Sequence, residues 1–280
     1  MKLKANGKIN LTLDIIGTRE DGYHLLKSVF LPIALSDDII LEILPNGNRD
    51  IIEFVNAEDI PTENNTIVKT LNLMRYKFAI KEFFKVKVIK NIPSSSGLGG
   101  GSSDAAQLII GLNKLLRLRL SKEEMIEIAK EIGADVPFFI INKPAIVEGI
   151  GEKIMPISKI KTFVLLVKPK KGVDTKSAYE TYDKFGGDHG DFEKLIAAYK
   201  GRKLSNIGQY VYNSLESGVF KLNPQIETIK KSLISENFPV VLMSGAGSTV
   251  FALTRDKNKA IKTLENIDRN IYDAWLTTTI

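Results

Sequence analysis

Residues 93–106 read Pro-Ser-Ser-Ser-Gly-Leu-Gly-Gly-Gly-Ser-Ser-Asp-Ala-Ala, between an apolar strand-like run, Phe83–Ile89, and a helical run over residues 105–116. Glycine permits positive φ angles and lets a ligand approach the backbone closely. The start of a helix offers unpaired N–H groups and the positive end of the helix dipole. This stretch therefore predicts an anion site, and its size favours a polyphosphate as the anion.

The same stretch does not fit three more familiar kinds of glycine-rich segment. A flexible Gly/Ser linker rarely leads into a helix whose apolar residues recur on one face. A Walker A loop needs a lysine after its last glycine, and none follows Gly101. A dinucleotide fingerprint needs a third glycine where Ser102 stands, and it usually follows the N-terminal strand. The phosphate site is therefore predicted to be of another kind.

The bulk composition is that of an ordinary globular protein. The chain has 280 residues, of which 44% are hydrophobic and 26% are charged, so we expect one large or two modest domains. The absence of cysteine excludes disulfides, thiol nucleophiles and Cys-zinc sites. No apolar run approaches about 18 residues, and the first residues lack the apolar core of a signal peptide. We expect a cytoplasmic protein with no membrane partner.

The net charge of +6 does not point to nucleic acid. The basic residues are dispersed, and the tight clusters at residues 168–171 and 230–231 are not interleaved with aromatic residues. A basic balance also suits an enzyme with two polyanionic small-molecule substrates. We expect no nucleic-acid partner, and the sequence does not indicate an oligomeric state.

The first half of the chain begins with alternating apolar residues typical of strands, and Asp21-Gly22 predicts a tight turn between two of them. Asn64 or Asn65 is predicted to cap a helix that ends near Tyr76. Further along, residues 121–124 form a capping box for a helix that stops at Gly133, and an apolar strand is expected after it.

The second half predicts a strand over residues 163–167, helices that include one over residues 207–219, and a glycine turn at residues 244–248 between two strands. A last helix and a strand at Tyr272–Thr278 complete a strand–helix–strand–strand–helix–strand order, which is that of a ferredoxin-like unit. We therefore predict an α+β protein with domains at residues 1–157 and 158–280.

Pro-x-x-x-Gly-Leu-Gly-Gly-Gly-Ser-Ser from Pro93 is the signature of the GHMP kinases, named for galactokinase, homoserine, mevalonate and phosphomevalonate kinases. Two further stretches resemble that superfamily, at residues 7–11 and 244–251. Gly7 stands where members usually have alanine, which concerns backbone packing rather than chemistry. The resemblance implies a two-domain GHMP kinase fold, with an N-terminal domain like ribosomal S5 domain 2 and a ferredoxin-like C-terminal domain.

Within the superfamily, residues 19–24 (Arg-Glu-Asp-Gly-Tyr-His) and 133–139 (Gly-Ala-Asp-Val-Pro-Phe-Phe) narrow the resemblance. The chain is most similar to the members that phosphorylate the 2-hydroxyl of 4-diphosphocytidyl-2-C-methyl-D-erythritol, in the non-mevalonate route to isoprenoids. Two alternatives stay open. One is a GHMP kinase for mevalonate, homoserine or a sugar, and the other is a GHMP-like protein that binds ligands without catalysis.

Asp135 lies between a helix stop and an apolar run, where an unpaired carboxylate would be costly. The resemblance implies that Asp135 accepts the proton of the substrate hydroxyl and that Lys8 holds the hydroxyl and the aspartate in place. It also implies that Asn10 binds the methylerythritol hydroxyls, and that Gly245 and Gly247 close on the phosphate end of the site.

The resemblance further implies ATP and Mg²⁺ as cofactors. Metal ligands are not legible in the sequence, although Ser102 or Ser103 could touch the ion. The predicted ATP-binding residues are Asn65, near the adenine, and the glycine loop Pro93, Ser94, Ser95, Ser96, Gly97, Leu98, Gly99, Gly100, Gly101, Ser102 and Ser103.

By the same resemblance, four aromatic or imidazole side chains are candidates for binding the cytosine ring of the substrate. The resemblance places Tyr23 on one face of the cytosine ring and His24 at its edge. It places Tyr179 on the opposite face, and Tyr182 is close enough along the chain to take that place instead. Each such stacking contact is worth ~1–3 kcal/mol.

Overall fold

A computed structural model gives the structure of residues 1–57, 60–61 and 63–280. The strands are β1 Lys2–Thr18, β2 His24–Leu44, β3 Ile51–Val55, β4 Phe83–Ile89, β5 Ala145–Gly149, β6 Lys153–Pro156, β7 Phe163–Pro169, β8 Tyr212–Asn213, β9 Val240–Met243, β10 Val250–Thr254 and β11 Tyr272–Thr278. The helices are α1 Thr66–Phe78, α2 Gly100–Leu115, α3 Lys122–Ile132, α4 Val136–Ile141, α5 Thr175–Phe185, α6 Phe192–Lys200, α7 Leu204–Ile207, α8 Glu216–Leu222, α9 Pro224–Ser235 and α10 Lys257–Glu265.

The chain folds into two compact units, each built from several segments. The first unit contains residues 1–7, 35–94 and 99–142, and the second contains residues 8–34, 95–98 and 143–280. Strands β1 and β2 each contribute residues to both units. The division of the sequence into residues 1–157 and 158–280 stays a prediction.

The first unit packs helices on a small sheet. Strand β4 pairs antiparallel with residues 38–44 of β2 and parallel with β3. Every second residue of β4 is buried, as the alternating sequence predicted. Helix α2 packs against α1 and α4 in the same unit.

Local capping signals set the helix boundaries in this unit. Asn65 caps α1 by accepting a hydrogen bond from the Val68 amide at 3.0 Å. The predicted capping box between Ser121 and Glu124 is present in both directions at the start of α3. Helix α2 begins at Gly100 rather than at residue 105, because Gly99 takes the left-handed conformation and starts the helix inside the glycine loop.

The strand expected after Gly133 is wrong. Residues 136–141 form the short helix α4, whose Val136, Phe138 and Phe139 are buried. Pro137 lies in its first turn, where its fixed φ angle suits a helix. A short apolar run does not distinguish a buried strand from a buried helix, and packing against α2 and α3 decided it here.

The second unit contains a four-stranded antiparallel sheet in the order β11-β7-β10-β9. Helices α5 to α9 connect β7 to β9, and α10 connects β10 to β11. This order confirms the ferredoxin-like unit and the α+β fold class. Within the same unit, β5 pairs with residues 26–30 of β2 and with β6, a hairpin that the sequence analysis missed.

The single helix expected over residues 207–219 is also wrong. The segment contains the end of α7, the two-residue strand β8 and the start of α8. Tyr212 and Asn213 pair in parallel with Thr12 and Leu13 of β1. This pairing joins residues about 200 positions apart, and no local pattern shows it.

Over the described residues, no helix combines the length and the apolar character that a membrane crossing requires.

The hydrophobic core of the second unit lies between the four-stranded sheet and the helices α5, α8 and α9. It includes Leu165, Ala178, Leu215, Val219, Ile229 and Met243.

A buried charge cluster fixes the approach to the glycine loop in the first unit. Lys90 Nζ contacts Asp37 Oδ2 and lies 2.7 Å from Asp104 Oδ2. Asp37 Oδ1 also accepts the amides of Asn91 and Ile92, at 2.6 and 2.7 Å. Burial raises the pKa of Asp104 to about 7, the nearby Asp37 carboxylate adds to this rise, and Lys90 opposes it.

We expect Asp104→Asn to change how stability depends on pH. The folded-state pKa of about 7 lies above the ordinary value of 3.8, so Asp104 stabilises the fold below pH 3.8 and loses this contribution as the pH rises through about 7. Relative to the wild type, D104N should therefore gain roughly 4–8 °C in melting temperature between about pH 5 and about pH 8.

The matched control is Asp38→Asn, which removes an exposed carboxylate that pairs with Lys4. The difference in melting temperature between D38N and the wild type should stay constant over the same pH range. A level difference for D104N as well, measured by thermal melting in several buffers, would contradict the raised pKa.

Candidate active site

The first half of the glycine loop, residues 95–98, belongs to the second unit. Gly97 has a φ angle of +72°, and a Cβ built on it would lie 1.9 Å from the Ser244 carbonyl oxygen. Only glycine can occupy this position without displacing the backbone of a second segment. The Lys8 amide donates to the Leu98 carbonyl at 2.9 Å, which fixes β1 against the loop.

A second glycine turn, residues 244–248, lies directly against the first. Gly245 and Gly247 both have positive φ angles, of 57° and 83°. Hydrogen bonds join the two segments: Ser244 Oγ donates to Gly97 O at 3.0 Å, Ser248 Oγ and Ser248 N donate to Ser95 O at 3.1 and 3.4 Å, and Thr249 N donates to Ser96 O at 3.2 Å. The structure thus brings together two stretches that are far apart in the sequence.

Lys8 is buried beside these turns, with 4% of its surface exposed. Its Nζ donates to Asn10 Oδ1 at 2.7 Å and lies 4.8 Å from the centre of the Phe30 ring. A Cβ built on Gly245 would lie 3.2 Å from the same Nζ. A buried ammonium group beside two glycine-rich backbone segments is an arrangement suited to a phosphate anion.

Both ends of the Asn10 side chain are engaged inside the protein. Oδ1 accepts from Lys8, and Ser244 Oγ lies 3.4 Å from the same oxygen. Nδ2 donates to Ser28 Oγ at 3.1 Å. These contacts let Asn10 orient the Lys8 ammonium, and its role toward substrate hydroxyls stays a prediction. Ser28 was missed by the sequence analysis.

The second half of the glycine loop belongs to the first unit and starts helix α2. Gly99 has a φ angle of +73°, and the Gly101 carbonyl accepts from Thr66 Oγ1 at 3.0 Å. This bond joins the starts of α1 and α2, and it places Asn65, the cap of α1, near the loop. Ser103 is 1% exposed, and its Oγ has no hydrogen-bond partner. Ser102 is only half-buried.

Asp135 lies in the first unit, as do Pro93 and Ser94. It is half-buried at the N-terminal end of α4, and its carboxylate does not cap that helix. The helix stop at Gly133 and the proline in α4 fix the local backbone around it. The pairing of Asp135 with Lys8 stays a prediction.

The second unit also carries an aromatic cluster at the start of β2 and on α5. His24 stacks on Tyr179, with ring centres 4.9 Å apart and planes inclined by 27°. Tyr182 meets His24 edge-on at 6.1 Å, and His24 Nε2 lies 2.7 Å from Asp183 Oδ1. Tyr23 is 60% exposed at the tip of the β1–β2 hairpin. The structure therefore joins His24 to Tyr179.

Two neighbours of this cluster were missed by the sequence analysis. Asp183 follows Tyr179 by four residues on α5, a spacing that places both on one helix face and could have revealed it. His189 Nδ1 lies 2.7 Å from Asp14 Oδ1, and its ring meets Tyr182 edge-on at 6.5 Å. No short motif links Asp14 with His189.

Two family models match the chain. The N terminal domain of the GHMP kinases matches residues 65–143, and the C terminal domain of the GHMP kinases matches residues 190–273. Together they cover more than half of the 280 residues.

Curated relatives match over almost the whole length. A 4-diphosphocytidyl-2-C-methyl-D-erythritol kinase from Caldicellulosiruptor bescii is 36% identical over 100% of this chain and 98% of that protein. Another kinase of that name, from Carboxydothermus hydrogenoformans, is 38% identical over 93% of this chain and 90% of that protein. The chain belongs to the 4-diphosphocytidyl-2-C-methyl-D-erythritol kinase family.

Solved structures agree with this placement. The crystal structure of a 4-(cytidine 5'-diphospho)-2C-methyl-D-erythritol kinase covers 99% of this chain and 98% of its own, with a TM-score of 0.81 and 29% identity. A homoserine kinase from Cytophaga hutchinsonii covers 100% of this chain and 94% of its own, with a TM-score of 0.75 and 16% identity, and shares the fold. The resemblance to the GHMP kinases and the two-domain fold are therefore confirmed.

Gly97→Ala should damage this family member more than an ordinary glycine substitution. The added methyl group would meet a backbone carbonyl at 1.9 Å, and the positive φ angle disfavours alanine. We expect a loss of roughly 2–4 kcal/mol in the free energy of unfolding, measured by denaturant titration.

Gly17→Ala is the matched control, because a Cβ there meets only Leu25 Cδ1 at an ordinary 3.8 Å. Its effect should stay within about 0.5 kcal/mol. Equal effects of the two substitutions would show that the contact between the glycine turns is not tight.

Proposed function

We propose that the chain transfers the γ-phosphoryl group of ATP to the 2-hydroxyl of 4-diphosphocytidyl-2-C-methyl-D-erythritol, giving the 2-phosphate and ADP. One observation carries the proposal. The second unit holds both a glycine-lined site with the buried Lys8 and an aromatic face formed by His24 and Tyr179. A phosphate-binding backbone and a base-binding face are what a kinase for a nucleotide-linked alcohol needs.

In the proposed reaction, the protein contributes position and charge rather than strong base chemistry. Asp135 accepts the proton of the attacking hydroxyl, and Lys8 holds that hydroxyl and the aspartate while stabilising negative charge. The transition state of phosphoryl transfer is loose, so most of the barrier reduction comes from alignment and charge neutralisation. The Asn10 amide keeps the Lys8 ammonium in one orientation at 2.7 Å.

ATP is the phosphoryl donor of this kinase family, and the glycine loop fits its phosphates. The positive φ angles of Gly97 and Gly99 set the path of the loop, and the loop leads directly into the N-terminal end of α2, where free amides suit an anion. Mg²⁺ would arrive largely bound to the nucleotide. The exposure of Ser102 favours it over the buried Ser103 as the serine that touches the ion.

Other features of the proposal remain expectations from the sequence. No group of three or more metal-ligating side chains occurs among the residues that the structure describes, so the metal ligands are not assigned. A cytoplasmic location and the lack of nucleic-acid and membrane partners stay predictions.

The proposed base site uses His24 in one orientation. Its Nε2 lies against Asp183, which leaves Nδ1 as the ring nitrogen directed to the edge of a cytosine. Tyr179 is the tyrosine that stacks face-on with His24, and Tyr182 meets it only by an edge. These contacts favour Tyr179 over Tyr182 as the stacking residue, with the exposed Tyr23 supplying a second face.

Two alternatives remain testable. A kinase for mevalonate, homoserine or a sugar has no nucleobase to bind, so the aromatic face argues against it. A non-catalytic binding protein would not need both Lys8 and Asp135.

The direct test offers ATP with each acceptor in turn: the cytidyl compound, mevalonate, homoserine and galactose. We expect phosphorylation of the cytidyl compound alone, followed as ADP release and as phosphorylated product. Tyr179→Ala should then raise the KM for the cytidyl compound by roughly 5- to 100-fold, because it removes one stacking contact, and should leave the KM for ATP unchanged.

Tyr76→Ala is the matched control for this substitution, because Tyr76 is 87% exposed in the first unit. A larger effect of Tyr182→Ala than of Tyr179→Ala would transfer the stacking role to Tyr182. Phosphorylation of mevalonate without the cytidyl compound would overturn the proposed function.

Asp135→Ala should lower kcat by roughly 10²- to 10⁴-fold, the usual range for a positioned acid–base group. Asp38→Ala, which removes an exposed carboxylate from the same unit, is the control and should leave kcat unchanged. Both variants are compared with the wild type by steady-state kinetics after their folding has been checked by circular dichroism. A folded and fully active D135A would remove Asp135 from the mechanism.

A further inference from the structure

Two buried polar side chains, Asn213 and Glu216, face the second glycine turn and have no role in the site described so far. They are 1% and 6% exposed. Asn213 ends β8, and Glu216 begins α8. Both lie in the segment whose expected single helix the structure replaced. We refer to these two residues as the 213/216 clamp.

Asn213 holds the second glycine turn by donating hydrogen bonds to two backbone carbonyl groups at the start of that turn. Its Nδ2 donates to the carbonyl of Met243 at 3.0 Å and to that of Gly245 at 2.8 Å. Its Oδ1 accepts from the Leu215 amide at 2.9 Å, which fixes the orientation of the side-chain amide. Both Nδ2 hydrogens are therefore used on the backbone at the start of the turn.

Glu216 holds the backbone at Met243 by binding the amide of that residue. Its Oε1 accepts from the Met243 amide at 2.9 Å, and its Oε2 accepts from Lys230 Nζ at 2.5 Å. Burial raises the pKa of Glu216, while the Lys230 ammonium and the Met243 amide act in the opposite direction. Lys230 thus supports the charged carboxylate that receives the Met243 amide.

The 213/216 clamp binds the end of an edge strand, β9. Strand β9 lies at the end of the order β11-β7-β10-β9 and pairs only with β10 in that sheet. The outward amide and carbonyl of Met243, its last residue, would lack sheet partners, and buried backbone groups without partners are costly. The side chains of Asn213 and Glu216 provide these hydrogen bonds in place of another strand. They therefore fix the point at which the chain leaves β9 to form the turn.

The residues that follow Met243 are the ones that meet the site. Ser244 Oγ donates to Gly97 O, and Gly245 lies against Lys8 Nζ. A shift of the backbone at Met243 would therefore move both contacts together. Because an error of about 1 Å in alignment can cost 10²-fold in rate, the position of this turn bears directly on phosphoryl transfer.

We propose that Asn213 and Glu216 are positioning residues for the reaction, which hold the second glycine turn in place against Lys8 and Gly97. The proposal rests on the proposed function. The 213/216 clamp contacts the second glycine turn, whereas the aromatic base site is formed by His24, Tyr179 and Asp183. Loss of the clamp should therefore lower kcat and leave the KM for the cytidyl compound nearly unchanged.

Asn213→Asp is the sharpest variant, because it keeps the size of the side chain and replaces two N–H donors with a carboxylate. We expect kcat to fall roughly 10- to 100-fold and the KM for the cytidyl compound to stay within about 3-fold. A protonated carboxyl group can return one donor, so the kcat of N213D relative to the wild type should rise from about pH 8 to about pH 6.

Glu216 provides a rescue test. Glu216→Gln keeps an oxygen that can accept the Met243 amide, but its NH2 group would face the Lys230 ammonium, so E216Q is combined with Lys230→Met. Glu216→Ala, also combined with K230M, removes the oxygen. We expect E216A/K230M to lower kcat about as much as N213D, and E216Q/K230M to retain kcat within about 3-fold of the wild type. Equal losses in the two double variants would overturn the role of the Met243 hydrogen bond.

Thr162→Val is the matched control for lost stability. Thr162 is 5% exposed, and its Oγ1 donates to the Thr254 carbonyl at 2.8 Å, at the end of β10 away from the glycine turn. T162V also removes a buried hydrogen bond from the second unit, so it should lower the melting temperature and leave kcat within about 2-fold. A folded N213D with wild-type kcat, or a kcat loss in T162V equal to that in N213D, would overturn the proposal.

Hydrogen–deuterium exchange separates this proposal from the proposed function. The amides of Ser244 and Gly247 donate to the Thr249 and Ser244 carbonyls, and the Thr249 amide donates to the Ser96 carbonyl of the first glycine loop. We expect N213D to speed their exchange at least about 10-fold and T162V to leave it unchanged. A wild type inactive on the cytidyl compound would refute the proposed function, and unchanged exchange in N213D would refute the clamp whatever the substrate.

Discussion

The close approach of Gly97 to the Ser244 carbonyl is the constraint on which the candidate active site depends. A Cβ would stand 1.9 Å from that oxygen, so two backbone segments meet with no side chain between them. Hydrogen bonds from Ser244, Ser248 and Thr249 then join the two glycine turns. Lys8 gains a fixed place beside this contact, because its own amide binds the first turn. The phosphate site that we propose is thus formed by two backbone segments and the Lys8 ammonium.

Two buried asparagines hold this arrangement, and the chemistry of the amide group explains why. Asn10 and Asn213 are each 1% exposed, and each uses both its oxygen and its nitrogen within the second unit. A neutral amide offers donors and acceptors without the desolvation cost of a charge. Asn10 fixes a side chain, the Lys8 ammonium, and Asn213 fixes a backbone turn. The protein therefore uses two neutral amide side chains, together with the Glu216 carboxylate, to hold Lys8 and the second glycine turn in place.

Features that depend on neighbouring residues could be predicted from the sequence. Strand β4 and the capping box at Ser121 follow from alternation and from one local hydrogen-bond pattern. The glycine loop indicated a phosphate site because its residue types restrict the backbone directly. The motif around Asp135 pointed to the family, although the segment after it is a helix and not a strand. Residue types at short spacing therefore identified the family even where the secondary structure of a segment was predicted wrongly.

The sequence by itself determined the family, the fold class, the glycine turns and the residues proposed for catalysis, since each depends on residue type at short spacing. Only the tertiary structure decided that the two glycine turns touch, that His24 stacks on Tyr179 and that Asn213 binds the second turn. These contacts join residues that lie far apart in the sequence, and the pairing of β8 with β1 overrode a helical pattern. Such contacts depend on how distant segments pack, and the residues next to each partner do not specify them.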